Sequence, residues 1–168
     1  ELWRLSASRT QATSDMELIS ALSEFHGQPR MMTRGISPLI AYASSVSIGI
    51  VCTYLAHTQR RVSLLEPCFD NLYELLRHHK ISPLPLPESI VFQPDQTGLD
   101  LKDVATGDTI FIVDPNNPTG TSSLLDNACR FRQIVDYCAE TSKMLVVDLS
   151  FSAFLSGPGM PGRPDLYE

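Results

Sequence analysis

Four separated groups in this sequence have the chemistry to act on one small molecule. The first is Ala43-Ser44-Ser45, three small residues ahead of a helical pattern. A helix start presents unpaired N–H groups and the positive end of a dipole, and small side chains let an anion approach them. The second is Phe69, a ring at a strand-to-helix junction that can cover a planar ligand. The third is the turn Asn116-Asn117-Pro118-Thr119-Gly120, which stops the apolar run Phe111-Ile112-Val113 and offers a neutral amide at Asn117. The fourth is Asp148, a carboxylate delivered by the apolar run Met144-Leu145-Val146-Val147. Ser150 shares its side if the chain stays extended. Each group also has an ordinary reading. The turn can be loop punctuation, the serines a helix cap, and Phe69 a core ring.

What decides between these readings is the set of elements that must position the residues. Residues 62–65, 109–113 and 144–147 are short apolar runs that read as buried strands. Helical patterns separate them. Ile48, Val51, Cys52, Leu55 and Ala56 form one face, Leu72, Leu75 and Leu76 a second in a helix ending near Lys80, and Phe131, Ile134, Val135 and Cys138 a third within residues 126–139. The proline-rich residues 81–87 suit an edge position, because proline cannot donate to a ladder. This alternation predicts an α/β fold with a mainly parallel sheet flanked by helices. In such open sheets ligands bind at the carboxyl ends of the strands, where all four groups fall.

The rest of the chain is less informative. Residues 1–14 read as a polar arm, followed by a helix with Ser14 as N-cap and Glu17 completing a capping box. Leu18, Ile19, Leu22 and Phe25 form its apolar face, and Gly27 and Pro29 end it. Residues 30–34 are a basic loop, residues 93–103 a polar segment turning at Gly98 with Leu99 and Leu101 as weak anchors, and residues 157–163 a Gly- and Pro-rich loop. The expected organisation is therefore an arm and helix over residues 1–35 and a ligand-binding domain over residues 36–168.

Composition narrows the function classes. With 43% apolar and 19% charged residues, the 168-residue chain has the makeup of an ordinary globular domain. A net charge of −6 with no basic face argues against nucleic acid. The most apolar stretch, residues 36–56, is interrupted by Pro38, Gly49, four serines and Thr53, too polar to span a bilayer, and no secretory leader is visible. Cys52, Cys68, Cys129 and Cys138 are scattered, without metal-ligand spacing, and read as reduced thiols of a cytoplasmic protein. His78-His79 reads as a solvated or capping pair, and no metal site is expected.

A planar aromatic phosphate ester would use all four groups: phosphate on the helix start, ring under Phe69, phenolic oxygen on Asn117 and ring nitrogen on Asp148. Pyridoxal 5'-phosphate has those groups. A carboxylate beside its pyridine nitrogen keeps that nitrogen protonated and the ring a stronger electron sink. On residues 116–120, the Asp148 strand and Pro67-Cys68-Phe69, the sequence resembles the fold type I pyridoxal-phosphate enzymes, which include the class I/II aminotransferases. Tyr42-Ala43-Ser44-Ser45-Val46-Ser47, Pro67-Cys68-Phe69-Asp70-Asn71 and Asp148-Leu149-Ser150-Phe151 look like its branch of L-arginine oxidases, hydroxylases and capreomycidine-type enzymes of antibiotic biosynthesis.

The resemblance implies that Asn117 contacts the cofactor's 3-oxygen, Asp148 the pyridine nitrogen and Phe69 the ring face, with Ala43, Ser44 and Ser45 at the phosphate. It implies a small-molecule amino acid as substrate, plausibly arginine, and a homodimer. A plain aminotransferase is the alternative within enzymes, and a non-catalytic module of the same fold the alternative outside them. Two departures stand out. Phe151 occupies the position where aminotransferases often carry a Tyr hydroxyl, for which Ser150 is the available substitute. The family's Schiff-base Lys lies on a later strand, and Lys80, Lys102 and Lys143 do not match it. The expectation is a fragment of a larger enzyme, inactive alone, with the rest of the large domain and the small domain missing.

Overall fold

The structure, a computed structural model, describes residues 8–26, 28, 30–35, 37–92, 101–102, 105–123 and 128–154. It divides into two compact units, one centred on the residues before Ala41 and one spanning Ala41–Leu155.

In the first unit, helix α1 (Gln11–Phe25) starts earlier than its capping-box pattern predicts. The cap is Thr10, whose hydroxyl accepts the N–H of Thr13, and Ser14 lies inside the first turn with its N–H on the Thr10 carbonyl. Glu17 reaches out to Arg9 instead of back to a serine cap. Of the predicted apolar face only Ile19 is buried, while Leu18, Leu22 and Phe25 are exposed. The basic loop is a one-turn helix, α2 (Arg30–Thr33). Gly27 and Pro29, the expected stop, lie outside the described residues, and His26 caps the helix.

The second unit begins with helix α3 (Ser44–His57) and alternates thereafter: strand β1 (Val62–Glu66), helix α4 (Asp70–His78), strand β2 (Leu84–Pro87), one-turn helix α5 (Glu88–Val91), strand β3 (Thr109–Val113), helix α6 (Ala128–Glu140), strand β4 (Met144–Asp148) and a 3-10 turn (Ser152–Phe154). The four strands form one sheet in the order β2-β1-β3-β4, and every pairing is parallel. The α/β expectation therefore holds. The proline-rich strand β2 lies at one edge, as its missing donors require.

Register fixes the two faces. Leu64 pairs with Phe111 and Phe111 with Val146, while Val113 pairs with Asp148. Alternate residues share a face, so Val62, Leu64, Phe111, Val113, Met144 and Val146 lie on one side with Asp148 at its carboxyl end. Ile48, Cys52 and Leu55 of α3 and Leu72 and Leu76 of α4 join that side in the main core. Leu65, Leu86, Ile110 and Ile112 are buried on the opposite face. In α6, Phe131, Ile134 and Cys138 are inward as expected, but Val135 is exposed.

Strand β4 is half-buried along its whole length, although its sequence is as apolar as that of β3. Among the described residues no strand pairs its outer edge, and that edge position leaves its side chains partly uncovered. Residues 93–100 and 155–168, including Leu99 and the Gly- and Pro-rich loop, lie outside the described residues. Leu101 is buried.

Candidate functional site

Because β1, β3 and β4 are parallel neighbours, their carboxyl ends share one edge of the sheet. That edge receives Phe69 beyond β1, Asn117 beyond β3 and Asp148 at the end of β4. Helix α3 brings the fourth group. A four-residue loop joins its carboxyl end to the amino end of β1, and fourteen helical residues rise about 21 Å against about 16 Å for a five-residue strand. The start of α3 is thereby carried to the carboxyl edge, on the face that ends in Asp148.

The cap of α3 is Ala43, which has no side-chain acceptor, so the serine-cap reading does not hold. Its carbonyl takes the N–H groups of Val46 and Ser47. Those of Ser44 and Ser45 belong to the orphan donors of the first turn, and both side chains are exposed. An uncapped start with small flanking residues suits a phosphate.

Asp148 is held in one orientation. Its Oδ1 accepts the backbone N–H of Ser150 at 2.9 Å and also the Ser150 hydroxyl. The Asp148 carbonyl accepts the N–H of Asp114, tying β4 to the end of β3. The other carboxylate oxygen, Oδ2, is buried without a hydrogen-bond partner. A buried acceptor left unpaired is costly, and a protonated heterocyclic nitrogen is a donor able to satisfy it. The chain does not stay extended past Asp148: Ser150 lies in a turn, and it meets Asp148 there by its N–H and hydroxyl and not by sharing a strand face.

Phe69 is the cap residue of α4, half-buried and packed against the main core. Part of its surface belongs to the core, as the ordinary reading had it. Cys68, next to it, has its thiol pushed up to about 11 by burial, with Glu66 and Asp70 adding to the rise, so it is no nucleophile at neutral pH. Phe151, in the position of the missing hydroxyl, lies with its ring 6.3 Å from that of Phe154.

The two asparagines of the turn divide their work. Asn117 is half-buried, and its side chain makes no hydrogen bond among the described residues. Asn116 is only 2% exposed. Its amide donates to the Pro67 carbonyl at 2.8 Å and to Glu88 at 2.9 Å. The Thr119 and Thr121 hydroxyls converge on the same Glu88 oxygen. Behind the turn, the fully buried Asp114 accepts the Ser122 hydroxyl and, on its other oxygen, the N–H and hydroxyl of Ser123. The peptide bonds Glu66-Pro67 and Asp114-Pro115, at the ends of β1 and β3, are both cis.

Sequence reasoning missed Glu88 and Asp114. A carboxylate directly after a buried apolar strand was a usable signal for Asp114. Nothing local pointed to Glu88. Among the described residues no three His, Cys, Asp or Glu side chains gather to hold a metal, and no helix is long and apolar enough to cross a membrane.

An oriented carboxylate with one unpaired buried oxygen, an amide with no bond to the described residues and an uncapped helix start, all along the carboxyl edge of a parallel sheet, are groups that could hold a planar, phosphorylated heterocycle. The sequence profile described as aminotransferase class I and II matches residues 6–166, and the chain belongs to that family. The cofactor of the family is pyridoxal 5'-phosphate, which the donor and acceptor set fits. A solved structure of MppP soaked with the product 2-ketoarginine is similar to this chain at 28% identity and a TM-score of 0.68. The similarity covers 87% of this chain and 40% of MppP, so the matched part spans less than half the length of that protein.

Proposed function

We propose that this chain forms the pyridoxal-phosphate wall of an enzyme that oxidises or hydroxylates a free amino acid, arginine. The observation that carries the cofactor assignment is the buried, unpaired Oδ2 of Asp148. In this reading Asp148 keeps the pyridine nitrogen protonated, Ser150 fixes the carboxylate, and Asn117 donates to the 3-oxygen. Ala43, Ser44 and Ser45 present the start of α3 to the phosphate, and Phe69 covers the ring. The bound cofactor supplies an electron sink that acidifies the α-carbon of an amino acid. Asp148 sets the strength of that sink by holding the ring in its acid form.

Arginine as substrate is supported by the likeness to MppP, whose solved structure was soaked with the product 2-ketoarginine. That compound is the keto acid corresponding to arginine. In an oxidase reaction arginine loses two electrons to dioxygen, giving hydrogen peroxide, and water replaces the amine as ammonium leaves. Phe151 favours this over plain transamination, because it brings no hydroxyl to the 3-oxygen. On the sequence's resemblance to the arginine oxidase and hydroxylase branch, we take the complete enzyme to be a cytoplasmic homodimer of antibiotic biosynthesis.

The anchoring lysine has no candidate here. Lys143 precedes β4 and donates to the Gly107 carbonyl at the amino edge of the sheet, Lys80 follows the carboxyl end of α4, and Lys102 lies ahead of β3. The complete site takes that residue from beyond these 168 residues. The test is oxygen uptake by the complete enzyme given arginine and no keto acid, with 2-ketoarginine measured as product. Turnover that depends strictly on an added keto acid means an aminotransferase, and a protein that binds no pyridoxal phosphate is a module of the fold only.

A further inference from the structure

The turn that carries Asn117 is held at a distance by a residue of another strand connection. Glu88 lies immediately after β2, two strands away from β3, yet one of its carboxylate oxygens gathers the Asn116 amide and the hydroxyls of Thr119 and Thr121. These donors flank Asn117 on both sides. The second hydrogen of the Asn116 amide goes to the Pro67 carbonyl, two residues before Phe69. The turn is closed across its own base as well, with Asn116 N–H on the Thr121 carbonyl at 2.8 Å and Gly120 N–H on the Asn116 carbonyl at 2.7 Å. Within this frame the Asn117 side chain makes no hydrogen bond to the described residues, so its direction depends on the frame.

From this geometry we infer that Glu88 is a positioning residue of the cofactor site, acting through the turn to aim the Asn117 amide at the cofactor's 3-oxygen. The inference rests on the pyridoxal-phosphate reading above. One acceptor oxygen taking three donors ties both sides of the turn to a single point. Asn116 completes the bracket by linking the ends of β1, β2 and β3 through a single amide. Motion of the turn would then move Asn117 relative to Phe69, the ring-covering residue. The contacts of Asp148 and of the α3 start do not pass through Glu88, so a change there acts on the 3-oxygen contact and spares the other two.

That selectivity gives the test. Binding of pyridoxine 5'-phosphate and of its 3-deoxy analogue to the apo-protein is measured by fluorescence quenching. The first compound has the 3-oxygen and the second lacks it, and neither has an aldehyde to react with lysines. Glu88→Ala is expected to weaken pyridoxine phosphate about tenfold while shifting the 3-deoxy analogue less than about twofold. Glu88→Gln, which keeps an acceptor oxygen in place, restores most of the affinity. In an Asn117→Ala background Glu88→Ala has no further effect on either compound, because the contact through which it acts is gone. Equal weakening of both compounds by Glu88→Ala, or no weakening of either, overturns the positioning role and leaves the cofactor reading standing. Failure of the unaltered protein to bind either compound overturns the cofactor reading and the inference with it.

Discussion

Removing the Asp114 carboxylate is the perturbation whose cost can be worked out most fully from the structure. Asp114 is fully buried and accepts three donors, the hydroxyls of Ser122 and Ser123 and the backbone N–H of Ser123. Both serines are buried as well. In Asp114→Ala the Ser123 N–H is fixed by the chain and cannot turn toward another acceptor, a loss of about 1–3 kcal/mol. The two hydroxyls can rotate, and each adds about 1 kcal/mol. The total is about 3–5 kcal/mol, a large share of the roughly 5–15 kcal/mol by which a domain is stable. Ser122→Ala removes one donor and leaves the carboxylate its other partners, so it costs only about 1 kcal/mol. The double variant costs less than the sum, because the Ser122 hydroxyl and the carboxylate it donates to are removed together. Urea unfolding of the four proteins measures these terms. An Asp114→Ala cost below about 1 kcal/mol, or strict additivity, would show that the carboxylate does not anchor the loop.

Two further outcomes follow from the packing. A Cβ at Gly107 would stand 2.5 Å from the Arg61 carbonyl oxygen and 2.8 Å from the Ser63 nitrogen, both backbone atoms, so Gly107→Ala is expected to destabilise by about 1–3 kcal/mol. Gly49, in the middle of α3, has nothing within 4 Å of its own Cβ position, and Gly49→Ala should stabilise by about 0.5–1 kcal/mol, so denaturant midpoints of opposite sign check the pair. Burial raises the thiols of Cys68 and Cys138 from the ordinary 9.0 to about 11. Because the folded value lies above the unfolded one, their contribution to stability is complete below pH 9 and lost as pH rises toward 11. Unfolding midpoints and iodoacetamide labelling measured across that window should respectively fall and accelerate.

Strands β3 and β4 were legible because each holds four apolar residues in a row, and such a run bounded by turn residues has few other uses. The helices after residue 40 were legible for a similar reason. Their apolar period matched a face that the sheet covers, as Ile48, Cys52 and Leu55 show. Helix α1 shows the limit of that inference. Its period identifies a helix, but period alone does not say what covers the face, and Leu18, Leu22 and Phe25 are exposed. Its start was misplaced because Thr10 and Ser14 are both competent caps, and the choice turns on side-chain contacts such as that between Arg9 and Glu17. Half-burial of β4 was hidden because composition does not reveal which strand lies at an edge.

Within the candidate site, Asn117, Asp148, Phe69 and the start of α3 could be named from the sequence because each is a chemically distinct group at the end of a readable element. The frame around them was hidden. Glu88 meets its partners 28 to 33 residues further along the chain, a pairing that no local pattern encodes. Asn116 was legible as part of a motif, but its separate duty from Asn117 shows only in the opposite fates of their amides.

The central claim is that the unpaired oxygen of Asp148 faces a protonated pyridine nitrogen. Its most direct test is the nitrogen NMR shift of ring-labelled pyridoxine 5'-phosphate bound to the apo-protein, compared with Asp148→Ala. The ring nitrogen is expected to stay protonated to a higher pH in the unaltered protein than in the variant. The same titration of the nitrogen in both would contradict the contact.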